Sequence, residues 1–177
     1  MRRVVSLWLP RFATDRWLRA RQQSRLQANS SNSPSDEPQQ PLALIEDNAG
    51  KLLLAAILPG LITVPHEPEV DARALAALAA WCARYTPWTA PDDLAQESGG
   101  AAGILLDVTG CAHLFGGERA LLTDLQTRLT RFGYAARAAL ADTPGAAWAM
   151  ARHATSAEHP AIVVLSGGQR AALAPLP

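Results

Sequence analysis

The chain has 177 residues, 49% of them hydrophobic, with 16 basic residues balanced by 16 acidic ones. That length supplies one core, or one domain with a fragment of another, and the balanced charge argues against a chain that coats nucleic acid by bulk electrostatics. No stretch approaches the ~18 consecutive apolar residues of a membrane helix, and Cys82 and Cys111 have no metal-like spacing, so the expectation is a cytoplasmic protein with no membrane association.

Arg2-Arg3 ahead of Val4–Leu9 looks like the start of a signal peptide, but the apolar run is short and ends at Pro10-Arg11. Val4–Leu9 instead predicts a strand covered on both faces. A helix follows from Phe12 to about Leu26, with Trp17, Leu18 and Leu26 facing inward. Residues 1–28 hold seven arginines against the single acid Asp15, a local +6 that fits either a solvated helix face or an electrostatic contact surface. Residues 29–40 contain no apolar side chain except the prolines and predict a flexible linker. Pro41–Glu46 and Lys51–Ala56 predict two strands joined by a turn at Asp47-Asn48-Ala49-Gly50, with a further short strand at Leu61–Val64. Asp71–Tyr85 predicts an amphipathic helix with Leu75, Leu78, Cys82 and Tyr85 on one stripe. Pro87 takes Thr86 out of that helix, and Asp92–Gly100 predicts a polar loop.

The stretch Gly103–Gly117 organises the rest. Ile104, Leu106 and Val108 share one face of a strand, Leu105 and Asp107 the other. Thr109-Gly110 end it, and Gly116-Gly117 release the chain into a helix led by Glu118. That helix carries Leu121, Leu122, Leu125, Leu129 and Phe132 on its core stripe, with Gly133 at its C-terminal cap. Ala135–Ala141 predicts a strand. Thr143 caps a helix that has Pro144 at its first position, buries Trp148 and runs to about His153. Ala161–Leu165 predicts a last strand, followed by Ser166-Gly167-Gly168 and a short helical start. Strands alternating with helices make this an α/β (α+β) layer structure with helices packed on a sheet, and no internal repeat is visible.

Several features invite a chemical reading. Asp107, near the end of an apolar strand, stands where metal-dependent enzymes place carboxylates. Cys111-Ala112-His113 is at most half of a zinc site, with no second Cys/His pair. Ser166–Gly168 reads either as an anion-binding nest or as a turn capping the next helix; the Lys of a P-loop is missing. Gln126–Phe132 has the spacing of a clamp-binding peptide but falls inside an amphipathic helix. Trp81, Trp88 and Trp148 read as packing residues, and His66, His153 and His159 as exposed loop residues.

Four separated phrases, in order, carry a family resemblance: Ser6–Arg16, Arg84–Trp88, Leu106–Gly117 and Ala141–Trp148. Together they resemble the palm of Y-family (translesion) DNA polymerases, and more closely the ImuB-type members of bacterial mutagenesis cassettes. The resemblance implies a ferredoxin-like palm sheet with helices packed on it, plus a remnant of the fingers. Residues 1–28 would be the first palm strand and the Arg-rich helix, 29–40 the linker, 41–65 truncated fingers, and 66–177 the remaining palm, its C-terminal part incomplete. Only Ile57 and Leu58 separate Ala56 from Pro59, where the family carries a helical segment of the fingers.

Nucleotidyl transfer in this family uses two Mg²⁺ ions, which require hard carboxylate ligands. The family supplies them from the end of the first strand and from an acidic pair just before the Leu-Asp-Val-Thr phrase. Here those positions are Trp8 and Pro10, and Ala102 and Gly103. Asp107 belongs to the phrase after the acidic pair and is not a ligand in the family. The resemblance thus implies a palm with no catalytic residue, no metal and no other cofactor. Its expected role is that of an adaptor in SOS-type DNA repair and translesion synthesis. The implied partners are DNA, the sliding clamp, an error-prone replicative-type polymerase and a recombinase-like accessory protein. Arg11, Arg16, Arg19 and Arg21 are the expected phosphate contacts on DNA. Two alternatives stand beside this reading: a divergent active polymerase holding Mg²⁺ through Asp92, Asp93 or Glu97, and a small nucleotide-binding α/β domain.

Overall fold

Val4–Leu9 (β1) is the middle strand of a five-stranded sheet. The structure is a computed structural model that describes residues 2–29, 43–44, 62–63, 67–92 and 101–177. Helix α1 spans Phe12–Asn29, and Ala43–Leu44 (β2) pairs in parallel with Ile62–Thr63 (β3) as a separate two-stranded sheet. Then come α2 (Pro68–Cys82), β4 (Thr89–Pro91) and β5 (Ala102–Asp107). A 3₁₀ turn at Ala112–Phe115 leads to α3 (Glu118–Arg131) and β6 (Arg137–Ala141). The described chain closes with α4 (Pro144–His153), β7 (Ala161–Val163) and α5 (Gln169–Leu173). Among the described residues no helix is long and apolar enough to cross a membrane.

The sheet order is β4-β5-β1-β6-β7. β1 runs antiparallel to both β5 and β6, β4 antiparallel to β5, and β7 parallel to β6. Both flanks of β1 are therefore filled, and both its faces are covered, which is why its sequence shows no polar alternation. On one face Val5, Leu7 and Leu9 pack with Ile104, Leu106 and Leu140 beneath Leu75, Leu78 and Cys82 of α2 and Leu121, Leu122, Leu125 and Leu129 of α3. Each fully buried leucine there contributes about 1.5–3 kcal/mol of transfer free energy. The Cys82 thiol lies inside this core, and burial pushes its pKa up to about 12. The other face is built from small residues: Ala139 and Ala141 of the sheet meet Ala146, Ala147, Met150 and Ala151 of α4, with Trp8 against the cluster.

Local signals placed most of the ends. Gly133, at φ 83°, takes the left-handed position after α3, and the Tyr134 N–H donates back to Leu129 O at 3.0 Å. The Thr143 hydroxyl accepts from the Ala146 N–H at 3.3 Å, with Pro144 opening the helix as expected. Two expectations, on the bounds of α2 and on Leu26 and Trp88, need correction, and two strand features were not anticipated. Helix α2 starts at Pro68, because proline is well accommodated in a first helical turn, and stops at Cys82 with Tyr85 in the turn that follows. Thr89–Pro91 forms an edge strand that Pro87 ahead of it and Pro91 at its end conceal, since proline is tolerated where no ladder bond is required of it. Leu26 is 66% exposed and Trp88 75% exposed, so neither belongs to the core. Finally, Ala43–Leu44 pairs in parallel with Ile62–Thr63; the expected turn at Asp47–Gly50, the strand Lys51–Ala56 and the linker from residue 30 onward lie outside the described residues.

Candidate functional site

The β1–β5 register brings the four degenerate positions to one end of the sheet. Trp8 is paired with Gly103 and Leu9 with Ala102, and Pro10 follows directly on β1. Ala102 is buried in the core. Next to Gly103 stands the edge strand, whose following residue Asp92 donates its N–H to Gly103 O at 2.8 Å. Asp92 brings a carboxylate against Gly103 at this end. Its Oδ2 accepts from the Arg152 guanidinium of α4 at 2.8 Å, and the two side chains are only 4% and 9% exposed.

Aromatic rings surround that pair. The Arg152 guanidinium lies 4.1 Å from the Trp148 ring centre and 5.7 Å from that of Trp8. Arg137 lies 5.2 Å from the Trp8 ring and donates to Thr155 O at 3.3 Å. Burial pulls the Arg152 pKa below the usual arginine value, while Asp92 works in the opposite direction. A Cβ added at Gly103 would meet Asp92 Cβ and Oδ2 at 2.9 Å and an Arg152 nitrogen at 3.2 Å. The site is thus a buried, internally neutralised ion pair between indole rings.

Among the described residues the donor set does not fit a pair of Mg²⁺ ions. Two such ions need several carboxylate oxygens on fixed strands. Trp8, Pro10, Ala102 and Gly103 offer none, and the Asp92 carboxylate is engaged by a guanidinium. Among the described residues no group of three or more His, Cys, Asp or Glu is placed to hold a metal, which also leaves Cys111 and His113 without a zinc site. Asp93 and Glu97 lie outside the described residues.

Asp107 lies at the opposite end of β5, about 13 Å away by strand rise, paired with Val4. Its Oδ1 accepts from the Thr109 N–H at 3.1 Å and from the Thr109 hydroxyl, and its Oδ2 accepts from Arg2 at 3.0 Å. It fastens the strand end to the turn, as expected of a structural residue. The Ser166–Gly168 turn is likewise occupied from within: the Gly167 N–H donates to Asp142 Oδ2 at 2.7 Å and the Ser166 hydroxyl to Oδ1 at 3.1 Å. The anion in that turn is the protein's own Asp142. Gln126–Phe132 lies within α3 up to its cap, with Leu129 fully buried, so its clamp-like spacing is core geometry.

The four arginines proposed for phosphate contact are all engaged. Arg11 pairs with the buried Asp15 at 2.8 Å, and Arg16 bonds Asp71 and reaches Glu67 at 3.4 Å. Arg19 lies 5.0 Å from the Phe132 ring and 5.6 Å from that of Tyr134, and Arg21 lies 5.1 Å from Trp17. Arg11 keeps a side chain 61% exposed while that of Arg16 is 15% exposed.

Three carboxyls titrate below the usual range. Asp142 is held there by the Gly167 N–H and then Arg3, and Asp124 by Arg128 and then the Tyr85 hydroxyl. At Asp107 burial pushes upward but is outweighed by the Thr109 hydroxyl and N–H and by Arg2. A depressed folded-state pKa contributes stability above the ordinary carboxyl pKa of about 4, and that stability is lost as pH falls through the folded value. The urea midpoint should stay level from pH 7 to about 5 and fall steadily below about 4. Asp142→Asn should remove part of that slope. A midpoint unchanged down to pH 2.5 would contradict it.

Sequence reasoning missed Arg152, Arg137 and the partnership of Asp92. One signal was available: Trp148 and Arg152 stand at i and i+4 on a helix, where side chains meet. The pairing with Asp92 joins residues 60 apart in the chain and had no local mark.

Comparison with known proteins gives 47% identity over 122 residues, 69% of this chain, with Protein ImuB of Caulobacter vibrioides, in strains NA1000 / CB15N and ATCC 19089 / CIP 103742 / CB 15. Over that region this chain is a homologue of those proteins, as the four phrases indicated. It spans 24% of their length. No protein-family profile and no solved structure matches it.

Proposed function

We propose that this chain is a non-catalytic, Y-family polymerase-like palm that serves damage-induced mutagenesis as an adaptor for an error-prone polymerase. The strand order β4-β5-β1-β6, all antiparallel with α2 and α3 as crossovers, follows the split β-α-β plan of a ferredoxin-like sheet and supports the palm reading. Homology to Protein ImuB supports the link to a mutagenesis cassette. One observation carries the non-catalytic part: where the register pairs Trp8 with Gly103, the carboxylate at hand belongs to Asp92 and is bonded to Arg152.

In this role the chain contributes surfaces. The partners that fit are DNA, the sliding clamp, a replicative-type error-prone polymerase and a recombinase-like accessory protein. Phosphate contact falls first to Arg11, the one of the four arginines whose side chain keeps most of its exposure despite its ion pair. Primer extension on damaged and undamaged templates, with Mg²⁺ and with Mn²⁺, tests the reading. A protein that melts cooperatively should give no extension above a denatured control. Extension that Asp92→Asn abolishes would replace this reading with that of a divergent polymerase.

A further inference from the structure

We propose that the Arg152 guanidinium is the resident cation of this site, standing where a polymerase palm keeps a divalent ion, with Asp92 as its counter-charge and Gly103 as the space it requires. The inference rests on the palm reading for what it says about metals, but the ion pair and its dependence on Gly103 stand on geometry alone.

Three observations meet here. The guanidinium and carboxylate are both nearly excluded from water and bonded at 2.8 Å. A buried charge is tolerated only when paired, so neither partner is dispensable alone. The indoles of Trp8 and Trp148 border the guanidinium, a setting that favours a delocalised cation over a hydrated one. The last observation is Gly103 itself: any side chain there, a carboxylate included, would run into the Asp92 side chain and Arg152. The missing acid at 103 and the arginine at 152 are therefore one arrangement. A carboxylate restored at 103 would displace the ion pair before it could face a metal. The cation also ties three elements together, because Asp92 follows β4, Gly103 is in β5 and Arg152 is in α4.

Thermal melts of the full chain test this. Arg152→Ala should lower Tm by about 10 °C, the size of breaking a buried pair. Millimolar ethylguanidinium, the side-chain head in free form, should recover part of that loss in Arg152→Ala. It should do nothing for the wild type or for Arg152→Ala/Asp92→Asn. Mn²⁺ should leave the wild-type Tm unshifted. Gly103→Ala supplies a second variant should Arg152→Ala fail to fold. Alanine in place of glycine in a strand ordinarily raises Tm, whereas crowding of the ion pair should lower it here. The proposal is overturned if Arg152→Ala melts like the wild type, if ethylguanidinium acts equally in the double variant, if Mn²⁺ raises the wild-type Tm saturably, or if Gly103→Ala melts higher. None of these readings uses polymerase activity, so primer extension by the wild type would sink the non-catalytic role without deciding the ion pair.

Discussion

Replacing Arg3 with alanine should cost the protein about 3–5 kcal/mol, the range for removing one partner of a buried ion pair. For a chain of this size that is a drop in Tm of roughly 10 °C. Arg3 stands just before β1, its side chain 11% exposed. Its guanidinium binds both Glu118 oxygens, at 2.6 and 2.7 Å, in the two-pronged geometry that suits arginine and carboxylate. It also donates to Asp142 at 2.7 Å and to Val164 O at 2.8 Å. One side chain thus joins the start of β1, the first turn of α3, the β6–α4 junction and the segment after β7. Glu118 chiefly, and then Asp142, hold the guanidinium pKa above its usual value, against the opposing effect of burial. Arg3→Lys should recover only part of the loss, since one ammonium cannot reproduce the fork. Urea unfolding gives the answer directly: a shift in midpoint at constant slope worth less than 1 kcal/mol would show the cluster to be marginal.

Ala147→Leu should destabilise by about 3 kcal/mol or prevent folding, the upper range for overpacking a full core. Ala147 is fully buried on α4, which lies against β1 and β6. The facing surface is small as well: Ala139 and Ala141 are fully buried, and the Ser6 hydroxyl is buried without a hydrogen-bond partner. Alanines on both sides let the helix backbone approach the sheet closely, and the added leucine would have to displace that close contact. Ala149→Leu, on the partly exposed side of the same helix, is the control and should stay within about 0.5 kcal/mol. A native-like melt for Ala147→Leu would mean that α4 can move off the sheet freely. That would also undercut the position of Arg152, which the same helix carries.

What could be read from the sequence was whatever left a periodic or stereochemical mark. Val4–Leu9, the α3 stripe from Leu121 to Leu129, the glycine after α3 and the Thr143-Pro144 start of α4 all follow from local rules and stand where expected. Thr89–Pro91 left no such mark, because a three-residue stretch that ends in proline owes its strand form to pairing with β5. Trp88 looked like core from its type alone, yet it lies outside, just before an edge strand. At the candidate site the absence of acids at Trp8, Pro10, Ala102 and Gly103 was legible through family resemblance. The Asp92–Arg152 pair beside them was not, because its members meet only once the sheet and α4 are assembled.

The position of β1 also bears on how the chain acquires its shape. Val4 must find both Asp107 and Ala141, so the central pairings close loops of more than a hundred residues. Loop-closure entropy rises only with the logarithm of length, about 0.6 kcal/mol per doubling, so the final stability suffers little. The rate suffers more, since sheets built from distant partners fold slowly. During synthesis β1 leaves the ribosome well before either neighbour, β5 or β6, that flanks it in the sheet. Chaperone dependence during expression and aggregation of fragments ending before residue 137 are the consequences to expect of a sheet assembled around its earliest strand.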